Sequence, residues 1–203
     1  MNETTAHSTQ PDTALDDSTA AQRAYFRVVI RAPIHKVWAE ITRTDSVLPF
    51  FFNSVCKTPG LEVGAPIRMV SKDGKYAAVV GDVVEFEPPY RYAHTFKFTN
   101  MDDPVCTVRY RLREVEGGTE FTLINEGLPA GTKTEKYMTS GGDFITKNLK
   151  ALIETGKPTL GGRFALFMMG LMAAFTPKQC RSELWPFDRD IGKPCREKGQ
   201  GGK

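Results

Sequence analysis

The chain is poor in the residues from which metal and redox sites are built. It has three histidines and four cysteines in 203 residues. Cys56, Cys106, Cys180 and Cys195 are widely separated, no C-x-x-C occurs, and His7, His35 and His94 fall at no zinc spacing with them. No metal and no cofactor is therefore expected. Four reduced thiols are the simple reading, with a Cys180–Cys195 bridge across a short loop left open. A phosphate-binding glycine loop is missing, and so is a nucleophile set beside its base. Excess charge is missing too. Lys and Arg number 27 against 24 Asp and Glu, a net charge of +3, too mild to argue for nucleic acid as a partner. The polar N-terminus lacks the apolar stretch of a secretory signal, so a cytoplasmic protein is expected.

What is present is enough apolar material for one domain. Hydrophobic residues make up 40% of the chain. A domain of about 150 residues buries roughly 70% of its unfolded surface and needs no disulfides to hold a core. The two ends read as solvated tails. Residues 1–22 carry Glu3, Asp12, Asp16 and Asp17 with no Lys or Arg, and they hold too little apolar surface to fold alone. Residues 176–203 carry seven basic and four acidic residues.

Between the tails the pattern is ordered. Phe26–Ile30 is a β-branched run that predicts a strand. Pro33 then opens a short helix in which Ile34, Val37, Trp38 and Ile41 share one face. Val47–Phe52 reads as a second short helix or a hydrophobic loop. From Ala65 to Glu126 the pattern is β. Ile67 and Met69 alternate with Arg68 and Val70, and Asp73-Gly74 marks a hairpin. Tyr76–Glu87 is a long strand in which Gly81 marks a bulge or a close approach. Val108, Tyr110 and Leu112 alternate with Arg109, Arg111 and Arg113, the pattern of a half-buried strand. A long helix follows, with Met138, Gly141 or Gly142, Ile145, Leu149 and Leu152 as its apolar stripe and Gly156 as its left-handed cap. The Gly141-Gly142 pair marks a kink, or a close contact with the sheet or a ligand.

An apolar run, Phe164–Phe175, closes the ordered part. As a helix it spans about 18 Å, short of the roughly 30 Å hydrocarbon core of a bilayer. It predicts packing on the domain, a homodimer contact or a peripheral membrane contact, the last helped by the basic tail beyond it.

Four segments resemble one family. FRVVIRAPIHKVWAEI (Phe26–Ile41), GDVVEFEPPYRYAHTFKF (Gly81–Phe98), GGTEFTLINEGLP (Gly117–Pro129) and FITKNLKALIETGKP (Phe144–Pro158) occur in the order seen in the START/birch-pollen-allergen-like (SRPBCC) superfamily. They are most similar to its branch of activator of heat-shock-protein-90 ATPase homologue-like proteins. The resemblance implies an α+β helix-grip fold over residues 24–158, a curved antiparallel sheet wrapped around a long C-terminal helix and an apolar cavity. Residues 1–22 are then a disordered acidic arm. Residues 159–203 are an extension with an apolar helix at 164–175 and a basic tail.

The resemblance also implies a small hydrophobic or lipid-like ligand in that cavity. The candidate lining is Trp38, Phe50, Phe51, Met69, Val79, Phe96, Phe98, Tyr110, Ile145, Leu149 and Leu152, each of which is equally able to fill a core. His94 lies in phase with Tyr92 and Phe96 and is a candidate polar group in the cavity. The stripe Arg109, Arg111 and Arg113 faces water or an anionic partner. Glu85 and Glu87 lack the matched partner of a two-carboxylate mechanism. Three functions follow: a binding protein for an apolar ligand, a cyclase- or hydrolase-like enzyme working in the same cavity, and a co-chaperone-like interaction module.

Overall fold

The computed structural model of the protein describes residues 22–44, 46–172 and 175–192. The acidic arm up to residue 21, Ala173 and Ala174 of the apolar run, and the basic tail from 193 with Cys195 lie outside the described residues. The chain begins with strand β1 (Gln22–Ile30) and helix α1 (Ile34–Ile41). Pro33, expected as the first helical residue, stands instead at the N-cap of α1, one position earlier in the helix frame. Its carbonyl accepts from the Lys36 and Val37 N–H groups. Val47–Phe52 forms neither of the predicted elements alone. Val47–Leu48 is a two-residue strand, β2, and Pro49–Phe51 a single 3-10 turn. Phe52 and Asn53 then both take the left-handed conformation, with φ of 54° and 58°. For non-glycine residues that costs on the order of 1–3 kcal/mol each.

Strands β3 (Ser54–Lys57), β4 (Pro66–Val70), β5 (Ala77–Glu87), β6 (Arg91–Phe98), β7 (Cys106–Val115) and β8 (Gly118–Leu128) follow. All pairings are antiparallel, in the order β1-β8-β7-β6-β5-β4-β3-β2. The first strand therefore pairs with the last, which curls the sheet. The β5–β6 register shifts between Val83 and Glu85, three residues past Gly81. Gly81 itself is the close approach. A Cβ there would lie 1.9 Å from the Thr95 carbonyl oxygen.

Helix α2 (Lys133–Thr155) lies across β1, β8 and the Pro49–Phe51 turn on the concave side. The Thr132 hydroxyl caps its start by accepting from Glu135 N–H, and Gly156 caps its end at φ 77°. Its buried face includes Met138, Gly142, Thr146, Leu149 and Ile153. Ile145 and Leu152 lie at the edge of that face, half-buried. Beneath α2 the inward rows of the sheet form the main core, including Ile30, Val83, Tyr92, Val108, Tyr110, Phe121 and Leu123.

The convex side is covered as well, and up to residue 192 this corrects the reading of residues 176–203 as a solvated tail. The chain runs through helix α3 (Leu160–Met172) and two 3-10 turns, then lays Trp185 and Ile191 on Val55, Val70, Ala77 and Val80. Trp185 is 2% exposed. An isolated bridge between Tyr76 and Arg181 joins this segment to the hairpin. Arg68 is buried at the centre of the contact. Its five N–H donors reach the carbonyls of Trp185 (3.0 Å), Ile67 (2.9 Å), Gly81 (3.2 Å), Pro186 (2.8 Å) and Phe187 (3.5 Å). Burial lowers its pKa, with Asp82 and Asp188 acting in the opposite direction.

Candidate functional site

A cavity of about 460 Å³ lies between the N-terminal half of α2 and the concave face of the sheet. Its apolar walls are Phe51, Phe52, Val79, Phe96, Phe98, Val108, Leu123, Met138 and Ile145. Ala78, Met101, Gly141, Gly142 and Met169 complete them. Ser54, Asn100, Asn125, Tyr137 and Ser140 are its polar members, and among the described residues no Asp, Glu, Lys, Arg or His lines it. Tyr137 is 51% exposed and Met169 47% exposed, so they mark where the cavity opens.

Each wall has a local cause. In β6, Phe96 and Phe98 point the same way because side chains alternate along a strand, and their rings meet edge to face at 4.8 Å. Phe98 continues the edge contact to Tyr137 on α2 at 6.2 Å. The left-handed backbone at Phe52 turns its ring to stack flat on Phe144 of α2, 4.7 Å between centroids at 6°. The loop after β6 is tied to the start of α2. Asp103 accepts from the Thr134 N–H at 2.9 Å, and Lys97 donates to the Asp103 carbonyl at 2.8 Å. Gly142 packs on the sheet, where a Cβ would meet the Phe26 ring at 2.2 Å. A Cβ on Gly141 would meet nothing within 4 Å. One glycine of the pair lets the helix approach the sheet; the other leaves the cavity open.

The deepest polar group is Asn125, which is 2% exposed. Its Nδ2 donates to the Met138 carbonyl at 2.8 Å, which orients the amide, and its Oδ1 is buried without a partner. A buried acceptor left unmade costs about 1–3 kcal/mol. This one belongs to a residue of the cavity wall.

Of the predicted lining, Phe51, Val79, Phe96, Phe98 and Ile145 reach the cavity. Trp38, Phe50, Met69, Tyr110, Leu149 and Leu152 instead pack in or against the core. Trp38, for example, rests on Phe86 at 5.4 Å. His94 does not line the cavity either. It is wholly buried among the rings of Tyr92, Phe96 and Tyr110 at 5.5, 6.4 and 5.9 Å. Its Nδ1 lies 2.8 Å from the Thr95 carbonyl, which only accepts, so Nδ1 carries the proton and Nε2 is an unpartnered acceptor. Burial pulls its pKa down to about 4. It is neutral at ordinary pH and removed from any substrate in the cavity.

The other reactive groups are similarly inert. Burial pushes the Cys56 and Cys106 thiols up to about 11, so neither is a thiolate nucleophile. Arg109 is held by Glu85 and Glu126, Arg113 by Glu120, and Arg91 by Glu85 and Glu87. Arg109 and Arg113 of the basic stripe, with Arg91 beside them, thus stand in a cross-strand ion lattice. Among the described residues, no group of three or more His, Cys, Asp or Glu is placed to hold a metal ion.

A curled antiparallel sheet gripping a C-terminal helix defines the class: this is the helix-grip architecture of the SRPBCC superfamily. Residues 31–154 match the family model of Activator of Hsp90 ATPase homolog 1-like protein, and the chain belongs to that family. Helix α3 and the docked C-terminal segment fall outside the matched residues. Among solved structures, DynU16 from the dynemicin biosynthetic locus is similar at TM-score 0.55 and 24% identity over 67% of this chain. The chain spans 48% of DynU16, about half its length. CalU16 from Micromonospora echinospora is similar at TM-score 0.53 and 21% identity, over 75% of this chain and 86% of that one. The Aha1 dimer from Colwellia psychrerythraea gives TM-score 0.54 at 18% identity, over 66% of this chain and 98% of that one. These likenesses show the fold. No curated protein matches the sequence.

Proposed function

We infer that the protein binds a small, uncharged, largely apolar ligand carrying one hydrogen-bond donor. The observation that carries this reading is the lining: about 460 Å³ with no charged side chain among the described residues, and a buried acceptor, Asn125 Oδ1, left open. That volume is within the range of small-molecule sites. An ionised ligand would leave water for a place with no counter-charge, a strongly unfavourable transfer. The lining also favours binding over catalysis. An enzyme here would lack His, carboxylate, lysine and thiolate, leaving Ser54, Ser140, Tyr137 and Asn125 as its polar groups. The partners in this reading are the ligand and a surface that covers α3.

The test is a titration with a neutral fluorescent probe, N-phenyl-1-naphthylamine, against the full chain. Saturable binding is expected, and Gly141→Leu, which places a side chain in open cavity space, should abolish it. Asn125→Leu should weaken donor-bearing probes by about tenfold and leave donor-free ones unchanged. Unaltered probe binding by a folded Gly141→Leu variant would refute the site.

A further inference from the structure

Helix α3 presents two opposite apolar faces. One faces the domain. Gly162 is buried against Asn148, whose Oδ1 accepts from the Thr159 N–H and hydroxyl at 3.0 and 2.9 Å, and Met169 forms part of the cavity wall. The other face is open. Phe164, Phe167, Met168, Leu171 and Met172 recur three and four apart and are between 41% and 67% exposed. Phe175 just beyond is 81% exposed. A contiguous patch of this kind marks an interaction surface.

Charge identifies what covers it. From Thr155 to Ser182 the sequence has Lys157, Arg163, Lys178 and Arg181 and no Asp or Glu. Arg181 reaches Glu183 at 3.3 Å, just past that stretch. The helix is therefore flanked by cations at both ends. Two copies joined through α3 would bring these cations together with no acid from the same stretch to pair them, whether the helices ran parallel or antiparallel. An anionic surface neutralises them. The length agrees. Thirteen residues span about 20 Å, too short to cross a bilayer and suited to lying in its interface. No helix among the described residues is long and apolar enough to cross a membrane.

We propose that α3 seats the protein on an anionic lipid surface, its Phe- and Met-rich outer face among the acyl chains and its cationic ends on the headgroups. Because Met169 lines the cavity from the opposite side of the same helix, docking brings the cavity mouth to the bilayer. An apolar ligand would then enter without crossing bulk water. That last step rests on the ligand-binding reading; the docking does not.

Vesicle co-sedimentation of the full chain tests it. Vesicles of phosphatidylcholine with phosphatidylserine should pull the protein down, and added salt should weaken the binding. Vesicles of phosphatidylcholine alone should bind at least about tenfold more weakly. The double variant Phe167→Asp/Leu171→Asp, with unchanged circular dichroism, should lose at least about tenfold. Lys157→Gln and Lys178→Gln should each lose about fivefold. Two results would overturn the proposal. One is unaltered sedimentation by the double variant. The other is no sedimentation of a wild type that instead elutes as a dimer which the double variant dissolves. Probe binding measured without vesicles reads the cavity separately, so failure of docking and failure of ligand binding are told apart.

Discussion

On the concave side of the sheet, α2 encloses a cavity whose lining, among the described residues, has no charge and leaves Asn125 Oδ1 without a partner. On the convex side, residues 178–191 cover a full cation, Arg68, whose N–H groups bond to three carbonyl oxygens of that segment and two of the sheet, Ile67 and Gly81. The same sheet separates the two. A buried polar group that is satisfied by its own chain is part of the structure. One that is oriented by its own chain, left open and set in the wall of a cavity is a candidate for binding. Arg68 is far costlier to bury than Asn125, yet Asn125 is the better candidate for binding, because it lines the cavity, which neither Arg68 nor the equally unpartnered His94 does.

The largest effects should come from the convex side. Trp185→Ala removes the anchor of the second core and is expected to cost about 3–5 kcal/mol. Arg68→Ala strands buried carbonyls and should cost about 3 kcal/mol or more. Urea unfolding followed by circular dichroism measures both. The comparison sharpens if these variants, while still folded, bind the neutral probe as the wild type does. It breaks if Trp185→Ala costs under about 1 kcal/mol, since a dispensable strap would not be part of the core.

The next effect separates His94 from the cavity beside it. Folding lowers its pKa from 6.5 to about 4, so the unfolded chain takes up the proton more readily. Its contribution is therefore intact above about pH 6.5. It falls as pH drops, by about 1.4 kcal/mol per unit, until the pH reaches the folded pKa. His94→Leu should remove that part of the acid slope and leave probe binding unchanged. Unfolding curves at several pH values between 4 and 7.5 check it. A variant with the wild-type slope would show that another group is responsible.

The sequence makes the sheet and α2 legible because alternation and helical spacing report which side of an element is apolar. Val108, Tyr110 and Leu112, or Met138, Gly142 and Leu149, are read this way. Periodicity does not report what an inward side chain meets. Phe96 and Tyr110 both point inward, yet one faces empty space and the other the rings of Tyr92 and Phe121. Phe52 escaped notice because it reaches the cavity through a left-handed backbone that nothing in Pro49–Asn53 announces. Arg68 reads as an outward polar residue, and it does point outward, but the segment that buries it arrives more than a hundred residues later. Its buried apolar contacts rest on isolated residues such as Trp185 and Ile191, which have no period to detect. The strand Ser54–Lys57 is too short to show alternation.

The smallest effect is the most local form of the comparison, drawn between two adjacent glycines of one helix. Both lower helix propensity by about 1 kcal/mol relative to alanine, so propensity alone predicts that Gly141→Ala and Gly142→Ala each stabilise. The surroundings differ. At Gly142 a methyl group would sit 2.2 Å from the Phe26 ring, so helix and strand must part or the ring must turn. Overpacking of that kind costs about 1–3 kcal/mol and outweighs the gain in propensity. At Gly141 the methyl group enters open cavity space, where it meets nothing within 4 Å. Gly141→Ala should therefore stabilise by up to about 1 kcal/mol and reduce probe affinity, while Gly142→Ala destabilises. Thermal unfolding of the two variants with and without the probe reads both quantities. If both stabilise equally, α2 stands further from the sheet than Phe26 requires. If Gly141→Ala stabilises with no loss of affinity, the bound probe does not use the space beneath that turn of α2.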